Sequence, residues 1–177
     1  MQIISLESLI KASEEESEVR EFLSSFKCVK NKDVELFLHT KAIENEKRSF
    51  TRTSLVLDEE NNNEIVGYFS LMIKHFNFHD VSKTSKKLLT GNKNADIFNS
   101  ILIAQLGRSD LYKGKVEGKK ILLLALGNCL LINKLSGIRI VCVEYDDEPI
   151  LNDFYLGNDF KILQTNASKK ILAYMRL

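Results

Sequence analysis

LYKGKVEGKKILLLAL, residues Leu111–Leu126, sets two glycines and four lysines directly ahead of a long apolar run. Gly114 and Gly118 let backbone approach a ligand closely. A helix starting at this point aims unpaired N–H groups and the positive end of its dipole at whatever binds. Lys113, Lys115, Lys119 and Lys120 crowd the same place. Cations at a helix start oppose the dipole and repel one another, so the arrangement costs stability unless an anion is held there. The stretch therefore reads as an anion site, most naturally for a phosphate or pyrophosphate. A P-loop would place Ser or Thr after the lysine of GxxxxGK, whereas Lys120 follows Lys119 and Gly114 is only four positions from Gly118. A dinucleotide fingerprint would need GxGxxG, and KGKVEGK lacks its first glycine pair.

Working outward, MQIISL is expected to be a first strand, and SEEESEVREFLSSF a helix capped by Ser13. Asp33 is expected to cap a second helix, in which Val34, Phe37, Leu38, Lys41, Ala42 and Ile43 recur near helical spacing. Residues 54–57 and 64–74 form a hairpin about the turn at Asn61 to Asn63. Residues 82–89 form a short helix, and 95–106 a strand that stops at Gly107. Lys115 to Lys134 reads as a helix that is apolar nearly all round and so covered on most sides. Gly137 to Glu144 is a continuous apolar strand, as in a buried parallel position. Pro149 opens a short helix to about Gly157, and 160–163 and 170–175 close the chain as two strands.

The chain has 177 residues, 44% of them hydrophobic and 28% charged, enough for one well-filled core. Its formal net charge of +1 gives no global pull towards nucleic acid or anionic lipid. Locally, residues 81–120 hold nine Lys or Arg against three Asp or Glu, whereas every charged residue from Glu144 to Asp159 is acidic. Such a division suits an anionic ligand on one side and a cationic group on the other. Cys28, Cys129 and Cys142 are widely spaced and lack metal-ligand spacing, which points to reduced, buried thiols and no metal. Met1 to Leu9 lacks a signal-peptide pattern, and the run Ile121 to Ile132 is too short to span a bilayer. The expectation is a cytoplasmic protein without membrane association.

The order of elements, with these residues, resembles the GNAT superfamily of acyl-CoA-dependent N-acyltransferases. Its phosphate loop reads Gln/Arg-x-x-Gly-x-Gly/Ala, usually in a phrase like YRGKGIGSKLL. Here the phrase runs from Tyr112 to Leu122, with Lys113 in the basic first position, Gly118 as the last glycine and Val116 replacing the middle one. IVGYFSL, Ile65 to Leu71, is similar to the family's third strand. VEYDDEPILNDFYLGNDF resembles its fifth strand and following helix, commonly closed by FYxKxGF. Phe154 and Tyr155 match the Phe-Tyr pair and Phe160 the final aromatic, while Asp159 replaces the usual glycine. Glu148 stands where many members have a CoA-binding asparagine, so that role is not carried over. The likeness runs from roughly Phe26 to Phe160. Within the superfamily, FKCVKNKDVELFLHTKA and TRTSLVLDEENNNEIVGYFSL resemble the toxin branch of bacterial toxin–antitoxin pairs, through Asp33, Phe37, Leu38, Ala42, Thr53 and Gly67 to Phe69.

The resemblance implies one α/β domain over residues 1–177: a mixed, mostly antiparallel central sheet flanked by helices, with a splayed parallel strand pair that holds CoA. It implies acetyl-CoA as cosubstrate. The backbone of Leu106 and Arg108 would bond the pantetheine amides, and Lys113, Gly114, Lys115, Val116, Glu117, Gly118 and Lys119 would hold the diphosphate. Leu106 N–H would polarise the thioester carbonyl. Tyr155 would be the catalytic acid, since a phenol with pKa about 10 suits a departing thiolate. His75, His79, Glu144 and water stand as sources of a base, and none is selected. The implied activity is N-acetyl transfer to a primary amine of a small molecule, a protein or aminoacyl-tRNA. Members of the toxin branch acetylate aminoacyl-tRNA and are neutralised by a DNA-binding antitoxin. The competing reading is a CoA-binding module with little catalysis. A homodimer is the common default.

Overall fold

The computed structural model describes Met1–Leu177. The elements are β1 (Gln2–Ser5), α1 (Leu6–Ala12), α2 (Glu16–Ser24), α3 (Lys32–Thr40), α4 (Ala42–Lys47), β2 (Arg52–Asp58), β3 (Glu64–Asn77), α5 (Lys83–Thr90), β4 (Ile97–Arg108), a 3-10 turn (Asp110–Tyr112), α6 (Gly118–Ser136), β5 (Ile140–Tyr145), α7 (Pro149–Leu156), β6 (Lys161–Thr165) and β7 (Ile171–Arg176). The strands form a seven-stranded sheet in the order β1-β2-β3-β4-β5-β7-β6. β1 with β2, β2 with β3, β5 with β7 and β6 with β7 run antiparallel. β4 and β5 run parallel, paired at Ile101↔Val141 and Leu102↔Cys142. This is the mixed, mostly antiparallel α/β architecture expected from the sequence.

The chain divides into two compact units, Met1–Met72 with Ala104–Ala125, and Ile73–Ile103 with Leu126–Leu177. In the first, α1 to α4 bury Leu6, Val19, Leu23, Phe26, Phe37, Leu38 and Ile43 with Leu55, Leu57 and Ile65 of the β2–β3 hairpin. Tyr68 stands at the centre of this core. Phe26 meets its ring edge-on at 5.2 Å, Phe37 stacks at 6.4 Å, and its hydroxyl donates to Val34 O at 2.6 Å. In the second unit, β5 is buried along Ile140–Val143, and Phe98 packs on Phe76 and Phe78 at 5.8 and 4.8 Å.

Several local expectations are corrected. The N-terminal region holds four helices rather than two. Ser5 caps α1 by accepting from Ser8 N–H, and Ser13 ends α1, its N–H and hydroxyl both donating to Leu9 O, rather than capping α2. Asn31, not Asp33, caps α3 through Val34 N–H. The periodic run expected as one helix divides after Thr40, whose hydroxyl bonds back to Leu36 O at 2.7 Å, a contact that bends helices. α6 starts at Gly118 and not Lys115, because Lys115 and Val116 N–H both close on Tyr112 O in a turn. β5 starts at Ile140 because Gly137, at φ 74°, is the left-handed residue that ends α6, with its N–H on Asn133 O. α6 is also less covered than its composition suggests. Ile121, Leu122, Ala125 and Cys129 form one buried stripe, while Leu123, Leu130, Leu131 and Leu135 are exposed.

Candidate active site

The lysine-rich turn belongs to the first unit and is tied down on several sides. β4 ends at Arg108, and Ser109, fully buried, donates its N–H to Val66 O at 2.8 Å. Asp110 reaches the segment between α2 and α3: its N–H donates to Lys27 O at 2.8 Å and its carboxylate accepts from Val29 N–H at 2.7 Å. Tyr112 is buried, and its hydroxyl lies 2.9 Å from Asp58 Oδ2 and 3.1 Å from Glu64 Oε2, the two ends of the β2–β3 turn. Burial and these carboxylates raise its pKa well above the ordinary phenol value. The same partnership, after the Asn61 side chain, holds the Asp58 carboxyl below its usual value.

These anchors present a solvent-facing turn. Gly114 sits at φ 79° with open space on its Cβ side, a conformation that a side chain would strain. Lys113, Lys115, Glu117, Lys119 and Lys120 are exposed, and Val116 and Gly118 half-buried. Lys115 Nζ rides 5.7 Å from the Tyr112 ring centroid. The N–H groups of Lys115 and Val116 are taken by Tyr112 O, at 3.1 and 3.0 Å, and Lys120 N–H by Glu117 O at 3.0 Å. The donors at Glu117, Gly118 and Lys119 lie at the start of α6, where intrahelical acceptors run out. Arg108 Nη1 donates to Val116 O at 2.9 Å. Two glycines upstream keep the supporting layer thin. A Cβ on Gly107 would come within 2.5 Å of Val34 Cγ1, and one on Gly67 within 2.6 Å of Gly107 O.

Tyr155 belongs to the second unit, on the last turn of α7, which Pro149 opens. It is buried among Tyr145, Phe154 and Phe160, with ring centroids at 4.7, 5.1 and 5.6 Å. Burial first, and the neighbouring Tyr145 second, raise its pKa well above the ordinary phenol value. The hydroxyl therefore keeps its proton throughout the physiological range, the state a general acid needs, with less driving force to release it. Among the residues considered as a base, His75 and His79 are exposed. Glu144 is engaged at both oxygens, by Lys74 Nζ at 2.6 Å and Asn166 Nδ2 at 2.5 Å, which suits an internal tie better than proton abstraction.

Sequence reasoning singles out the turn and Tyr155 as candidates but misses what supports them. Asp110 and Tyr112 act on residues more than forty positions away, which no local pattern encodes. The Arg108 side chain was passed over in favour of its backbone.

No family model and no curated protein matches the sequence. Solved structures do match in fold. AtaT complexed with acetyl-methionyl-tRNAfMet is similar at a TM-score of 0.70 and 17% identity, over 87% of this chain and 86% of that one. A tyrosine-to-phenylalanine mutant of KacT aligns at 0.75 and 16% identity, over 99% and 94%. A tyrosine-to-phenylalanine mutant of the AtaT toxin, bound to the C-terminus of the antitoxin AtaR and acetyl-CoA, aligns at 0.65 and 17%, over 87% and 84%. The chain thus has the mixed α/β fold with a parallel β4–β5 pair that the GNAT resemblance called for. More particularly, that fold is the one AtaT and KacT adopt.

Proposed function

We propose that residues 1–177 act as a single N-acetyltransferase domain that moves an acetyl group from acetyl-CoA to a primary amine. The observation that carries this reading is the lysine-rich turn before α6, braced from Val66, Lys27, Val29, Asp58 and Glu64, in a chain with the fold of AtaT and KacT. The free donors of Glu117, Gly118 and Lys119 and the surrounding lysines suit diphosphate oxygens. Leu106 and Arg108, two apart on β4, would offer backbone to the pantetheine amides, and Leu106 N–H would stabilise the carbonyl oxygen that gains charge. Acetyl-CoA supplies the activated thioester. The amine nitrogen bonds to the carbonyl carbon, the C–S bond breaks, water takes the proton the amine loses, and Tyr155 gives the departing thiolate its proton and regains one from solvent.

The finer reading is a toxin that acetylates the amino group of aminoacyl-tRNA and is held in check by an antitoxin. It is favoured by the AtaT structures with acetyl-methionyl-tRNAfMet and with AtaR. The net charge of +1 leaves little general pull on RNA, so binding would rest on the local basic region of residues 81–120.

The test is a melting curve with CoA, followed by CoA release against amines and charged tRNA. At a hundredfold excess over Kd, CoA should stabilise the fold by about 2.7 kcal/mol, roughly 5–10 °C. Gly118→Glu puts a carboxylate among the anion donors and should abolish the rise. Binding without release for any amine would favour the CoA-binding module. Uptake of neither CoA nor acetyl-CoA by folded protein would end the acetyltransferase reading.

A further inference from the structure

Arg108 closes β4, and its side chain has an unusual situation. It takes part in none of the ion pairs of the molecule. Its Nη1 donates to Val116 O at 2.9 Å, and its Nε is buried with no acceptor. A permanent cation without a carboxylate, carrying an orphaned buried donor, is an arrangement folded proteins rarely keep without a use.

The bond to Val116 O has a geometric consequence. A trans peptide holds C=O and the next N–H in one plane, pointing opposite ways, and the chain contains no cis peptide. With the Val116 carbonyl drawn to Arg108, the Glu117 N–H is turned away from the guanidinium, in a turn whose residues Lys115, Glu117 and Lys119 are exposed. Val116 cannot offer its own N–H, which is taken by Tyr112 O. Glu117 N–H is thus the next donor after Val116 left for an anion, and Arg108 sets its direction.

We infer that the Arg108 side chain is a positioning residue for the diphosphate of CoA: it fixes the Val116–Glu117 peptide plane and places a permanent charge behind it. The beta-branched Val116 is stiff where a glycine would be free, and the arginine supplies from outside the turn the orientation that glycine would reach by itself. This rests on the acetyl-CoA reading above.

The experiment compares wild type, Arg108→Met and Arg108→Gln by calorimetry with CoA, and by turnover with acetylpantetheine, a thioester donor that lacks the diphosphate. Arg108→Met should weaken CoA at least tenfold. Arg108→Gln, which still offers a donor to Val116 O, should recover part of that loss. The loss of kcat/KM with acetylpantetheine, which meets Arg108 only through its backbone, should be several-fold smaller than the loss of CoA affinity in both variants. CoA binding by Arg108→Met equal to wild type would overturn the inference, as would equal losses with CoA and acetylpantetheine, which mark a general defect of the fold. Melting temperatures without ligand identify any variant that fails to fold, in which case Arg108→Gln alone carries the comparison. A wild type that binds no CoA overturns the acetyltransferase reading itself, a result distinct from any of these.

Discussion

The turn from Ser109 to Lys120 and the surroundings of Tyr155 are held by opposite means. The turn is mostly exposed, yet directional bonds fix it: Ser109 to Val66, Asp110 to Lys27 and Val29, Tyr112 to Asp58 and Glu64, Arg108 to Val116. Tyr155 is buried, and three aromatic rings fix it. Hydrogen bonds define which way each N–H points, and anion binding needs that. Ring packing locates a side chain and strips it of water, which leaves its hydroxyl protonated. The two regions should therefore fail differently, one in affinity and the other in turnover.

The largest effect is expected at the aromatic site. Tyr155→Phe keeps the ring and its packing and removes only the hydroxyl proposed as the acid. General acid catalysis typically supplies about 10²–10⁴ in rate, or roughly 3–5 kcal/mol of barrier, so kcat should fall by that order. CoA affinity, assigned to the turn by the proposal, should stay within about twofold by calorimetry. The raised pKa also predicts that kcat shows no alkaline decline from Tyr155 below the ordinary phenol value of about 10. Unchanged turnover would remove Tyr155 from the chemistry and leave the comparison with a binding half only.

A smaller and opposite effect is expected for Tyr112→Phe. The ring stays, but the hydroxyl that ties the turn to Asp58 and Glu64 is lost, at about 1 kcal/mol for a hydrogen bond of this kind. The melting temperature should drop by roughly 2–4 °C. The affinity for CoA should fall by a few fold while kcat at saturation holds. A fall in kcat with affinity intact would mean that the turn serves the chemistry more than the binding, against the division drawn here.

What was legible in the sequence divides along a similar line. The glycines and lysines before an apolar run, Pro149 opening α7, and the hairpin about Asn61 to Asn63 are local signals, and the structure places elements close to where those signals point. Helix boundaries were misjudged where two caps compete at short range, as Ser13 against Ser5 and Asp33 against Asn31, since sequence does not say which side chain meets a free N–H. The braces of the turn were invisible for a different reason. Asp110 to Val29 and Tyr112 to Asp58 join residues brought together only by folding. The exposed leucines of α6 show the limit of composition: an apolar helix is not thereby a covered one.

The thiols offer the mildest probe of the same contrast. Cys28 adjoins Lys27 and Val29, the segment that Asp110 grips, and is half-buried, whereas Cys129 and Cys142 are buried in the second unit. Burial lifts the pKa of Cys28 and pushes those of Cys129 and Cys142 from the ordinary thiol value of 9.0 up to about 12. Well below pH 9 both deep thiols are neutral whether folded or not, and they leave stability untouched. Between pH 9 and 12 the unfolded chain ionises them and the folded chain does not, so stability declines through that window. With a thiol-reactive chromogen at pH 8, one group should react in the native protein and two more only on unfolding. Acetyl-CoA, whose sulfur is blocked as the thioester, should slow the reactive one if closing the turn on its anion also stills the Lys27–Val29 segment. Equal rates with and without acetyl-CoA would show that the braces are rigid before the coenzyme arrives, and that the turn is a preformed cradle.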